Sequence, residues 1–148
     1  MADDEQLAGV DDVDVEETWE RLSNDPASVL IDVRTQAKWA YVGMPDLLSL
    51  GKRLICVEWQ YFPGGQLNPS FTSQLQSELA AEAAGYDAEL FFICRSGHRS
   101  LRSAEAMVAV GYHACHNVAG GFEGPLDSTA HRGLAAGWKA AGLPWVQR

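Results

Sequence analysis

Short apolar runs alternate along this chain with segments of helical periodicity, and no other feature constrains the fold as strongly. The apolar runs cover 29–33, 54–57 and 90–94, with a weaker one at 114–118. Continuous runs of this length are typical of strands that are buried on both faces. Because helical patterns lie between them, we predict an α/β domain with a mainly parallel central sheet and helices on both faces.

Four segments carry helical periodicity or helix end signals, and they predict helices over about 14–23, from 69 to the terminator Gly85, from 100 to before Gly111, and over about 133–141. The first has the spacing of a capping box, with Asp14 followed by Glu17. In the second, Asn68 is predicted to cap the helix and Pro69 to occupy its first position. In sheets of this class, ligands bind beyond the carboxyl ends of the strands.

The charge of the chain is concentrated at its start. The formal net charge is −9, and residues 1–20 contain nine acidic residues and no Lys or Arg. We therefore expect an acidic flexible tail over 1–12 and a single domain over 13–148. Without a basic stripe, a nucleic-acid partner is not expected. With no apolar stretch of about 20 residues and no signal peptide, we predict no membrane association and a cytoplasmic location.

The three cysteines differ in their surroundings. Cys56 and Cys115 lie within apolar runs and are predicted to be core residues, whereas Cys94 closes a strand run and is followed by polar residues. An odd number of cysteines argues against a disulfide framework. The histidines do not have the spacing of a zinc site, so no metal or cofactor is predicted.

The segment that follows Cys94 has the features of an anion-binding loop, and its sequence is Cys94-Arg95-Ser96-Gly97-His98-Arg99-Ser100. Gly97 permits a sharp turn, which would point backbone N–H groups toward the cysteine sulfur. The predicted helix start and the two arginines add positive charge. Together they favour the thiolate of Cys94, which is the nucleophilic form, and would hold an anionic substrate beside it.

Three stretches in order resemble the rhodanese-like family of sulfurtransferases. They are Ile31-Asp32-Val33-Arg34, with Gly43-Met44-Pro45 downstream, then the loop 94–100, and last Asn117-Val118-Ala119-Gly120-Gly121-Phe122. The resemblance implies a three-layer fold with a central sheet of about five strands. It also implies that Cys94 is the catalytic residue and that residues 95–100 bind the substrate.

The implied reaction is sulfur transfer through a Cys94 persulfide. The donor would be a small anion such as thiosulfate, which two loop arginines favour over mercaptopyruvate. The acceptor would be cyanide or a thiol, either small or on a protein.

Two other activities are compatible with a loop of this kind. One is a persulfide carrier or redox-sensing module that acts with a protein partner. The other is a Cys-dependent phosphatase or arsenate reductase. Phosphatases of this type place five residues between Cys and Arg, whereas this chain places four between Cys94 and Arg99.

Several residues outside the loop are candidates for supporting roles. The resemblance places Asp32 and Arg34 near the site. Members of the family commonly carry an acidic residue shortly after this arginine, but Lys38 lies here, so the partner of Arg34 is left open. Trp59 begins an aromatic segment that follows a predicted strand, and it would either border the pocket or cover the core.

Overall fold

A five-stranded parallel sheet forms the centre of the computed structural model, which describes residues 9–132 and 135–147. The strands are β1 (Val10–Val13), β2 (Val29–Asp32), β3 (Met44–Pro45), β4 (Ile55–Cys56), β5 (Glu89–Ile93), β6 (Ala114–Val118) and β7 (Trp145–Val146). The sheet order is β1-β6-β5-β2-β4, and β3 pairs with β7 in a separate antiparallel ribbon. The predicted α/β fold with a parallel central sheet is confirmed.

Helices cover both faces of this sheet. They are α1 (Val15–Asn24), α2 (Gln36–Tyr41), α3 (Phe71–Ala81) and α4 (His98–Ala109), with a 3₁₀ turn at Leu48–Leu50. Alternate strand residues face opposite layers: Ile31 and Phe92 pack with α3 and α4, whereas Leu30 and Phe91 pack with α1. One apolar cluster lies on each side of the sheet, between the strands and the helices. The fold therefore has three layers, as the family resemblance implies.

Local signals explain where two of the helices begin. At α1, the Asp14 carboxylate accepts a hydrogen bond from the Glu17 amide at 2.7 Å, as expected of the N-cap. At α3, the helix begins three residues after the predicted cap. There Asn68 accepts from the Ser70 amide at 3.0 Å and stabilises a turn that precedes the helix.

The structure corrects the predicted boundary between tail and domain. Residues 10–12, which the sequence assigned to the tail, form β1 together with Val13. This strand pairs in parallel with β6, so the long-range partner outweighs the unfavourable strand propensity of Asp11 and Asp12. The first eight residues of the predicted tail lie outside the described residues.

The prediction of a helix over 133–141 is also wrong for residues 135–141. Residues 135–142 form bends and turns, while 133 and 134 lie outside the described residues. Gly137 has φ +100°, and the next amide, that of Trp138, donates to the Gly121 carbonyl at 2.8 Å. In a helix, the Trp138 amide would bond to a carbonyl of the same helix and could not donate to Gly121.

None of the helices within 9–132 and 135–147 has the length and apolar character needed to cross a membrane.

Candidate active site

Cys94 immediately follows β5, at the carboxyl end of a central strand, and is 4% exposed. Two donors approach its sulfur: the Gly97 amide at 3.1 Å and the Ser100 hydroxyl at 3.2 Å. Gly97 has φ +111°, a conformation that favours glycine and turns the chain so that its own N–H faces the sulfur. Since α4 begins at His98, its positive end adds to this cradle.

A second turn, residues 120–124, is hydrogen-bonded to the backbone at the start of the cysteine loop. The Phe122 amide donates to the Cys94 carbonyl at 2.8 Å, and the Glu123 and Gly124 amides both donate to the Arg95 carbonyl at 3.0 Å. These three bonds occupy the Cys94 and Arg95 carbonyls and hold the start of the loop. The third family-like motif, which ends at Phe122, therefore has a physical role in the site.

A pocket of about 130 Å³ opens onto Cys94. Four cationic side chains are among the residues that line it, namely Arg34, Lys38, Arg95 and Arg99. The lining also includes Tyr61, Phe62 and Pro63, and no described lining residue is Asp or Glu. The pocket is therefore suited to a small anion.

The other predicted loop residues have distinct positions. Ser100 is fully buried against the sulfur, and Ser96 is half-buried in the loop. His98 is exposed in the first turn of α4 and is not among the described residues that line the pocket.

Trp59 is half-buried, packs against the core and is not one of the described pocket residues. Its ring packs edge-on against Phe71, with 5.0 Å between the ring centroids. The residues that follow Trp59 form the aromatic wall instead.

Asp32 and Arg34 form a buried ion pair, and Arg34 is one of the residues that line the pocket. The Arg34 Nε lies 3.0 Å from one Asp32 carboxylate oxygen, and its Nη2 lies 2.7 Å from the other. Nη2 also donates to the Gly43 carbonyl at 2.7 Å, and the guanidinium lies over the Phe122 ring. Arg34 is thus paired without an acidic residue at position 38.

Lys38 has a different partner, which the sequence did not reveal. Its Nζ lies 3.1 Å from a carboxylate oxygen of Glu123, in the turn that supports the loop. The two residues are 85 positions apart, so no local pattern signals the pair. It joins the pocket wall to the 120–124 turn.

The thiols of the two remaining cysteines are poor nucleophiles near neutral pH. Burial raises the pKa of the Cys115 thiol to about 12, and burial followed by the nearby Asp32 charge raises the pKa of the Cys56 thiol to about 12. Both thiols are therefore protonated near neutral pH. Within the described residues, no cluster of three or more His, Cys, Asp or Glu side chains is arranged to hold a metal ion.

Comparison with known proteins identifies the family. Residues 10–148 match the family described as the STR4 middle domain. The chain belongs to this family. It is 37% identical over 124 residues to an uncharacterized protein of Rickettsia rickettsii, covering 84% of this chain and 86% of that protein.

A solved structure and a further relative extend the comparison. The crystal structure of Rv0390 from M. tuberculosis has a TM-score of 0.83 and 41% identity, covering 93% of this chain and 98% of that one. A sulfurtransferase of Allochromatium vinosum is 27% identical over 113 residues, covering 76% of this chain and 85% of that protein. Rhodanese-like and sulfurtransferase relatives support the rhodanese superfamily that the motifs resemble.

Proposed function

We propose that this protein is a sulfurtransferase that takes the outer sulfur of thiosulfate onto Cys94 and passes it to a thiol or to cyanide. A sulfurtransferase-type function is supported by the named relative and by the rhodanese-like motifs. The observation that carries the finer proposal is the convergence of two donors on the Cys94 sulfur, in a pocket lined by Arg95 and Arg99 together with the ion-paired Arg34 and Lys38.

In the first half-reaction, the Cys94 thiolate attacks the outer sulfur of thiosulfate. A new S–S bond forms on Cys94, the S–S bond of thiosulfate breaks, and sulfite leaves with the bonding electron pair. The cations of Arg95 and Arg99 stabilise the dianion as it approaches and the sulfite as it leaves.

In the second half-reaction, the nucleophilic acceptor attacks the outer sulfur of the persulfide. The acceptor gains that sulfur, and the electron pair of the breaking bond returns to Cys94 as the thiolate. Before the first step and after the second, when Cys94 is a thiolate, the Gly97 amide and the Ser100 hydroxyl are positioned to stabilise the negative charge on its sulfur. No proton transfer to Cys94 is required, which agrees with the exposed position of His98.

The test is sulfite release from thiosulfate in the presence of cyanide. We expect turnover in the unmodified protein, loss of turnover in Cys94→Ser, and retention in Cys56→Ser, which removes a half-buried cysteine that does not line the pocket. Sulfite release by Cys94→Ser at the unmodified rate would overturn the proposal.

A further inference from the structure

A chain of hydrogen-bonding side chains leads from Cys94 to the protein surface. The Ser100 hydroxyl oxygen lies 3.2 Å from the Cys94 sulfur and 2.5 Å from Asn117 Oδ1. On its other side, Asn117 Nδ2 donates to an Asp12 carboxylate oxygen at 2.9 Å. Asp12 is exposed on β1, and the β1–β6 register places it directly opposite Asn117.

The hydroxyl of Ser100 carries one hydrogen, and two acceptors lie within its reach. Asn117 Oδ1 can only accept, and a Cys94 thiolate or persulfide can only accept. The hydroxyl therefore donates to one of them at a time. A hydrogen bond to Asn117 reduces the stabilisation that the hydroxyl offers to a charged sulfur.

The orientation of the Asn117 amide decides this competition. With Oδ1 toward Ser100, the amide competes for the hydroxyl hydrogen. With Nδ2 toward Ser100, it would donate to the hydroxyl oxygen and leave the hydrogen free for the sulfur. A carboxylate accepts only, so Asp12 pairs with Nδ2 and turns Oδ1 toward Ser100.

We infer that Asp12 is a positioning residue that acts on Cys94 through Asn117 and Ser100. Asp12 is not among the described residues that line the pocket. It sets which acceptor receives the Ser100 hydrogen, and so how strongly the thiolate is stabilised. The inference deepens the proposed function, because Cys94 is the nucleophile there, but it concerns the state of the thiol before any sulfur donor binds.

The test of this inference leaves the charged side chains that line the Cys94 pocket unchanged. The cations that line its pocket are Arg34, Lys38, Arg95 and Arg99. Two Asp12 variants separate the effect of orientation from the effect of charge. Asp12→Asn removes the charge and keeps a side-chain oxygen that can accept from Asn117, whereas Asp12→Ala removes both.

The experiment measures the rate of Cys94 alkylation by iodoacetamide as a function of pH, which requires no sulfur donor. In Asp12→Ala we expect the midpoint to move to lower pH and the rate below the midpoint to rise about fivefold, the effect of gaining one hydrogen bond. In Asp12→Asn the profile should match that of the unmodified protein. A Ser100→Ala background should abolish the effect of Asp12→Ala.

Three results would overturn the inference. They are an unchanged or upward-shifted profile in Asp12→Ala, an equal shift in both Asp12 variants, or a shift that persists without the Ser100 hydroxyl. An equal shift would assign the effect to charge alone. A failure of thiosulfate turnover would leave this alkylation test intact, so the two proposals can fail separately.

Discussion

Replacing Gly121 with alanine tests whether the 120–124 turn positions the nucleophile loop. Gly121 has φ +64°, and an added Cβ would lie 2.6 Å from the Arg95 carbonyl carbon and oxygen and from the Cys94 carbonyl oxygen. Backbone atoms cannot rotate away, so the loop or the turn must move. Gly51 offers a matched control, because it has φ +68° with nothing within 4 Å of the added Cβ.

The two variants share the cost of a left-handed alanine, about 1 kcal/mol. Gly51→Ala should lose only that amount of unfolding free energy and keep the reactivity of Cys94. Gly121→Ala carries the steric clash in addition, and we expect a total loss of about 2–4 kcal/mol. A loop displaced by about 1 Å would also lower thiosulfate turnover by up to about 100-fold.

Urea unfolding gives the stability difference, and the rates of Cys94 alkylation and sulfite release give the effect on the site. Equal stability losses in the two variants, with unchanged Cys94 reactivity in both, would refute the view that the turn presses directly on the loop.

Three further predictions concern the charges and thiols around the site. At pH 8, iodoacetamide should label Cys94 and leave Cys56 and Cys115 unmodified, because a pKa of about 12 keeps each of these two thiols protonated. Peptide mass mapping checks this, and equal labelling of all three cysteines would contradict it. Asp32→Asn should lower the unfolding free energy by about 3–5 kcal/mol in urea unfolding, since it leaves a buried guanidinium without its ion pair, and a loss below about 1 kcal/mol would be inconsistent with that pairing. Lys38→Gln should raise the KM for thiosulfate several-fold with little change in kcat, because the Lys38 charge at the pocket attracts the donor. Steady-state kinetics that show only a fall in kcat would argue against this role.

The buried parts of the fold could be predicted because their signals are local. The apolar run at 90–94 locates β5 and the start of the cysteine loop, and Asp14 with Glu17 locates the start of α1. β1 could not be predicted in this way, since Asp11 and Asp12 are poor strand formers, and only the pairing with β6 makes them a strand.

The candidate site shows the same division. Cys94, its glycine turn and its arginines lie within six positions, so their chemistry can be read from one segment. Asn117 lies 17 positions from Ser100 and 105 from Asp12, and the sequence gives no distance between them. The available signal was a polar residue within a buried strand, because a buried amide needs hydrogen-bond partners.

The central claim is that Cys94 carries the transferred sulfur, and mass spectrometry of the intact protein after exposure to thiosulfate tests it most directly. We predict a mass increase of one sulfur atom, located on the peptide that contains Cys94, absent in Cys94→Ser and removed by cyanide. No added sulfur, or an added sulfur on Cys56 or Cys115, would contradict the account.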